Sequence, residues 1–153
     1  MSLVSDIAAE NYLKTVVKAL ARSRRERVGT GELSRLLHVT PGTISTMVKR
    51  LEKGGYVQRT HRLGCTLTRK GAVFGSAVLR KHRLLESFLS QVLCLEAGVV
   101  HKEAEMLEHA CSDELIDVID RYLQYPTRDP HGQPIPRKDT LLDLYVEDDV
   151  PGV

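Results

Sequence analysis

The sequence predicts a mainly α-helical chain in two unequal parts, with one short hairpin between them. Three observations predict it. The apolar residues of positions 1–75 recur at helical spacing in the order helix, short helix, turn, helix, and two brief β-runs come next. The charge balance reverses just after Lys81. Beyond that reversal, positions 76–140 read as three more helices and a Pro-rich loop, and 141–153 as a short acidic tail.

Asp6 to Ala21 reads as the first helix, with Ile7, Leu13, Val16, Val17 and Leu20 at helical spacing and Ser5 or Asp6 as its cap. Gly29-Thr30-Gly31 breaks the chain, and Thr30 is placed to cap a short helix over Glu32–Leu37 with Leu33, Leu36 and Leu37 inward. His38-Val39-Thr40 is a tight turn. Thr40 caps the next helix, where Pro41 in the first turn needs no amide donor. That helix buries Ile44, Met47, Val48 and Leu51 and ends at Gly54-Gly55. Tyr56–Arg59 and Cys65–Thr68 are β-runs around a turn near Arg62-Leu63-Gly64, which makes a hairpin.

This order is that of a winged helix-turn-helix, whose second paired helix enters the DNA major groove. The exposed face of that helix carries Thr43, Thr46, Lys49 and Arg50, with Gly42 and Ser45 near its start. Small hydroxyl residues suit base edges, and Lys and Arg suit phosphates. Arg35, Thr40, Arg59 and Arg62 are counted with this expected DNA surface. A winged helix used only for protein contacts is the competing reading.

Thr68 to Leu93 reads as one long helix, with Val73, Ala77, Leu84, Leu85, Phe88, Leu89 and Val92 on its apolar side. His82 and Glu86 are four apart on one face. The next helix starts at Glu96 or Gly98. If it stays helical through His109, then His101, Glu105, Glu108 and His109 share one face. Imidazole and carboxylate without thiolate suit Mn²⁺, Fe²⁺, Co²⁺ or Zn²⁺; a solvated acidic face has the same pattern. The His-x-x-Glu-His motif of zinc hydrolases fails, because Glu105 stands where its first His belongs. Ser112 caps a last helix to Tyr122, whose Leu115, Ile116, Ile119, Tyr122 and Leu123 form either a dimer seam or part of the core. Four prolines between Gln124 and Asp139 make the next segment a loop.

From Arg22 to Lys81 only Glu26, Glu32 and Glu52 oppose a long series of Lys and Arg, whereas from Leu84 to Leu123 only Lys102 and Arg121 oppose the acids. The basic half suits a polyanion and the acidic half a cation. The three cysteines, Cys65, Cys94 and Cys111, form no Cys-x-x-Cys, and neither a signal peptide nor a membrane span is visible. A cytoplasmic protein is expected, with no membrane partner.

A winged helix, a helix with His-x-x-x-Glu and a helix with Glu-x-x-Glu-His stand in that order. With Lys81-His82-Arg83-Leu84-Leu85-Glu86 and Asp129-Pro130-His131-Gly132-Gln133-Pro134-Ile135-Pro136, this resembles the diphtheria toxin repressor and manganese transport regulator family of metal-dependent transcriptional repressors. The resemblance implies a homodimer that binds a palindromic double-stranded DNA operator when loaded with Mn²⁺ or Fe²⁺, with Co²⁺, Ni²⁺ or Zn²⁺ substituting in vitro. It also implies that the second part, 76–140, is a helical metal-binding and dimerisation domain. The family's ligands carry over to Asn11 on the first helix and to Glu105, Glu108 and His109. A second site carries over to His82, Glu86 and His101, with Asp129 and His131 from the later loop. Three departures stand out. Asn11 replaces the usual Asp or Met, Lys14 replaces a second carboxylate, and Glu105 is of the manganese type. The β-barrel third domain of longer members is not expected. The alternative function is a winged-helix regulator sensing an organic ligand or a thiol oxidant. An enzyme is not expected.

Overall fold

The computed structural model describes residues 6–138 and the backbone of 146–147. Two compact units divide the chain: residues up to Ser76 together with the C-terminal strand, and Ala77–Thr140.

The first unit begins with α1 (Ile7–Ser23), α2 (Thr30–Leu37) and α3 (Pro41–Lys53). Local chemistry sets their starts. Asp6 Oδ1 accepts from the amides of Ala8 at 2.9 Å and Ala9 at 3.3 Å, which satisfies two of the donors left open at a helix start. Thr40 Oγ1 accepts from the amide of Thr43 at 3.2 Å, and Pro41 stands next to it as expected. Thr30 is not a cap: α2 already includes it, and Gly29 at the N-cap offers no side-chain bond. Leu36 also departs from expectation. In so short a helix Leu33 and Leu37, four apart, take the inner face; Leu33 is fully buried and Leu36 is rotated outward. The core joins Leu13, Val16, Val17 and Leu20 of α1 to Leu33, Ile44, Leu51 and Leu67, all at most 1% exposed.

The hairpin pairs β1 (Val57–Thr60) with β2 (Gly64–Thr68) in antiparallel register, from Val57↔Leu67 to Thr60↔Gly64. Arg62 takes a left-handed φ of 60° in the turn. The expected tail is corrected in part. Val146–Glu147 form β3, which runs parallel to β2 with Leu67↔Val146 and makes the sheet three-stranded. The other residues of 139–153 lie outside the described residues.

α4 (Arg69–Gln91) leaves the hairpin at close range. The Thr68 hydroxyl donates to the Gly55 carbonyl at 2.6 Å and accepts from the Gly71 amide at 3.1 Å. A Cβ on Gly71 would lie 1.9 Å from the Tyr56 carbonyl oxygen, so only glycine permits this approach. Val73, expected on the apolar side, is exposed.

The second unit holds the rest of α4, α5 (Ala97–Leu107) and α6 (Asp113–Tyr122). Its core is Leu84, Leu85 and Leu89 of α4 against Val100, Ala104, Ile116, Ile119 and Ile135. α5 stops earlier than expected: Leu107 is its last residue, Glu108 is the C-cap and His109 lies in the turn beyond. Ser112 Oγ caps α6 through the Leu115 amide at 3.2 Å. The loop after α6 is tied by Asp129, whose Oδ1 accepts from the amides of His131 at 2.9 Å and Gln133 at 2.8 Å, an Asx-type turn. The Arg83 guanidinium donates to the Pro134 carbonyl and holds the loop to α4. Among the described residues no helix is long and apolar enough to cross a membrane.

Candidate metal centre

His82 is three residues from both Leu79 and Leu85, so the helical period that buries those leucines buries it too. Its side chain is 4% exposed, and carboxylates face both of its ring nitrogens. Nδ1 lies 2.5 Å from Glu108 Oε2 and 3.6 Å from Glu105 Oε1. Nε2 lies 3.1 Å from Glu86 Oε1, one turn further along α4. The His82 and His101 rings meet edge-on at 5.2 Å between centroids.

Glu86 is the second hub. Its Oε1 accepts from His101 Nδ1 at 3.0 Å as well as from His82, and its Oε2 lies 3.8 Å from His131 Nδ1. Burial alone would raise the Glu86 carboxyl, but the hydrogen bonds from His82 and His101 outweigh it and hold the group at about 2. Asp129 is almost buried, and its Oδ2 lies 3.8 Å from Arg83 Nε. Three sets thus place their nearest donor atoms within 4.8 Å of one another: His82–Glu86–His101, His82–Glu105–Glu108 and Glu86–Asp129–His131. All donors are nitrogen or oxygen, buried or half-buried except His101 and His131. Such a set fits a divalent cation of the Mn²⁺, Fe²⁺ or Zn²⁺ kind.

The expectation of a single helical face over His101–His109 is corrected, because α5 ends before Glu108. His109 instead reaches Glu108 from the far side, with Nε2 3.3 Å from Oε1. The imidazole that stands with both Glu105 and Glu108 is His82, which the sequence assigned only to the other set. Its place on the apolar side of α4 was the available signal. Arg83, the anchor of the Asp129 loop, stands in the sequence only as part of the Lys81–Glu86 run, which gives it no role. Asn11 lies half-buried on α1 of the first unit, where Lys14 is buried.

The two halves of the sequence match known families. Residues 6–65 match the model of the iron-dependent repressor N-terminal DNA-binding domain, and residues 68–137 that of the iron-dependent repressor metal-binding and dimerisation domain. The chain belongs to the iron-dependent repressor family. An uncharacterized HTH-type transcriptional regulator of Methanocaldococcus jannaschii is 33% identical over 115 residues, 75% of this chain and 91% of that relative. The diphtheria toxin repressor of Corynebacterium diphtheriae is 37% identical over 99 residues, covering 65% of this chain and 44% of the repressor. A solved manganese-dependent transcriptional repressor complexed with manganese superposes with a TM-score of 0.79 at 39% identity, over 88% of this chain and 61% of that one. The chain therefore spans less than half of the diphtheria toxin repressor and about three fifths of the manganese repressor. The family is one of metal-dependent transcriptional regulators, not of enzymes.

The residues expected to meet DNA are distributed over the first unit. Gly42, Thr43, Ser45, Thr46, Lys49 and Arg50 are all exposed on α3, and Arg35, Arg59 and Arg62 are exposed on α2, β1 and the hairpin turn. Several already have partners. Thr40 and Thr43 hydroxyls pair at 2.9 Å, and the Thr46 hydroxyl donates to the Gly42 carbonyl at 3.1 Å. Arg59 lies 3.3 Å from Glu52, which also accepts its amide. Glu52 was not singled out by the sequence.

The expected dimer face divides. Ile116 and Ile119 are buried in the core of the second unit, 0% and 7% exposed, and are not on an open face. Leu115 and Tyr122 are exposed, and Val118 joins them at helical spacing. α6 is apolar on two sides, and periodicity alone does not say which side the core takes.

Proposed function

We propose that this chain is a Mn²⁺- or Fe²⁺-activated transcriptional repressor of metal homeostasis, which binds a palindromic operator as a homodimer in the cytoplasm. Residues 1–75 form the DNA-binding half and 76–140 the metal-binding and dimerisation half. The observation that carries this reading is the convergence of Glu86, Glu105 and Glu108 on the buried imidazole of His82. Glu86 and Glu108 are buried, Glu105 is partly exposed, and carboxylates gathered this closely repel one another. A divalent cation supplies positive charge and accepts lone pairs from several of these groups at once.

The ligands we propose are Glu105, Glu108 and His82, with His109 behind Glu108. Glu86, His101, Asp129 and His131 form the second set. Thr43, Ser45 and Thr46 are placed to read bases, and Lys49 and Arg50 to hold phosphates. Leu115, Val118 and Tyr122 are the seam we propose for the dimer, which sets two α3 helices at half-site spacing. Because metal and DNA favour the same state, each tightens the other by the same factor.

The thiol-oxidant alternative gains nothing from Cys65 or Cys111. Burial pushes both thiols up, and Cys65 is further committed to the Tyr12 hydroxyl at 3.2 Å. Thiols held protonated are poor sensors.

The test is duplex binding, on DNA selected from a random pool with Mn²⁺ present. Affinity is read by fluorescence anisotropy against free Mn²⁺, and against Fe²⁺ without oxygen. Metal should tighten binding by about tenfold or more over chelator, within the usual range of coupled sites. Equal affinity in both conditions would overturn the reading.

A further inference from the structure

Granted the DNA reading above, on which this step rests, Arg50 is the residue of α3 that meets a phosphate. Its guanidinium is already engaged inside the first unit. Nη2 lies 2.5 Å from Asp6 Oδ2 and donates to Met47 Sδ at 3.2 Å. Arg50 shares a groove on α3 with Thr43 and Thr46, two of the residues proposed to read bases. A carboxylate from the start of α1 therefore sits beside that surface.

The pair is built for exchange. The Arg50 and Asp6 side chains are 45% and 32% exposed, so phosphate oxygens can reach the guanidinium. Only one Asp6 oxygen holds Arg50. The other, Oδ1, accepts from the amides of Ala8 and Ala9, so α1 keeps its cap when Arg50 leaves. A helix N-terminus also favours the negative charge left behind. To a guanidinium, carboxylate and phosphate offer the same kind of anionic oxygen.

We propose that Asp6 is an intramolecular stand-in for DNA phosphate, an autoinhibitory contact that occupies Arg50 and lowers the affinity of the chain for any duplex. Each duplex must exchange one internal ion pair for one phosphate contact, so Arg50 contributes less to binding than an unpaired arginine would. The effect falls on the sequence-independent, electrostatic part of binding.

Asp6→Asn separates this role from the cap, because Asn caps a helix about as well as Asp but carries no charge. The full chain is mixed with chelator and a random-sequence duplex, and affinity is read by fluorescence anisotropy. Asp6→Asn should tighten binding by about two- to fivefold, the range of an exposed ion pair. In an Arg50→Ala background the same change should bring no such gain. A carboxylate that merely repels DNA would tighten both backgrounds equally. The thermal midpoint checks the fold, and Asp6→Ser, also a capping residue, replaces Asp6→Asn if that variant fails to fold. No gain beside Arg50, or an equal gain without it, would overturn the masking and leave Arg50 on the DNA surface. If Arg50→Ala had no effect on binding in the Asp6→Asn background, Arg50 would meet no phosphate, and both the masking and its place in the DNA reading would fall.

Discussion

Arg50 on α3 is paired with Asp6, the N-cap of α1, through Nη2 and Oδ2 at 2.5 Å. The same carboxylate holds the first turn of α1 through the amides of Ala8 and Ala9. The residue we propose to meet phosphate is therefore held by the group that starts the first helix. Arg50→Ala should weaken binding to all duplexes alike and flatten the salt dependence by about one unit of slope. An unchanged slope would remove Arg50 from the DNA surface.

Asp6 itself gives a stability prediction with a defined pH range. Burial would raise its carboxyl, but the Ala9 amide, the Arg50 guanidinium and the Ala8 amide outweigh that and hold it below the ordinary carboxylate value. A group depressed in the folded state contributes fully above its unfolded value and loses that contribution as pH falls through the lowered one. Asp6→Ala should cost about 1 kcal/mol at neutral pH, the usual worth of an N-cap. The difference from wild type should shrink as unfolding is measured below about pH 4, where the unfolded carboxyl titrates. A difference that stayed constant into that range would show that the charge does not matter.

Glu108 has a fully buried side chain and contacts His82 on one oxygen and His109 on the other. Glu108→Gln keeps the shape and removes the charge. It should abolish the response of operator binding to Mn²⁺ and leave the weak, salt-sensitive binding to any duplex, which depends on the first unit. His109→Ala should act in the same direction. Anisotropy titrations with and without metal read both, and a retained metal response in Glu108→Gln would move the cation elsewhere.

On α6, Ile116 and Leu115 are neighbours in sequence with opposite surroundings. Ile116→Ala should cost about 2–5 kcal/mol of unfolding free energy, as large-to-small changes in a packed core do. Leu115→Ala with Tyr122→Ala should leave the thermal midpoint of dilute protein nearly unchanged and instead shift sedimentation at micromolar concentration toward the monomer. A stable dimer in that double variant would place the seam on another face.

Gly71 fixes where α4 crosses the hairpin, since a Cβ there meets the Tyr56 carbonyl at 1.9 Å. Gly71→Ala should destabilise by on the order of 3 kcal/mol through the backbone shift it forces. Gly31 meets nothing within 4 Å at the same test, so Gly31→Ala is the control expected to fold normally. Chemical denaturation of the two variants makes the comparison, and equal midpoints would contradict it.

The sequence was most legible where local chemistry decides the outcome. Thr40-Pro41, Gly54-Gly55 and Asp6 each satisfy or terminate helix hydrogen bonds within a few residues, and α1, α3 and the hairpin lie where those signals put them. It was least legible where the partner is distant. β3 has two residues and pairs with β2 across about half of the chain, so no local pattern marks it. Leu36 and Ile119 are both branched aliphatic residues at helical spacing, yet one is exposed and the other buried, because the choice is made by neighbouring elements. At the candidate centre the residue types were readable, but not their grouping. His82 pairs with Glu86 by spacing, whereas its contact with Glu108 needs the packing of α4 against the turn at the end of α5.

β3 ties residues at the far end of the numbering to the wing. Val146 and Glu147 therefore belong with the hairpin and the first unit, not with the acidic unit that precedes them in sequence. A fluorophore placed at Glu147 would report on the wing and not on the candidate metal centre.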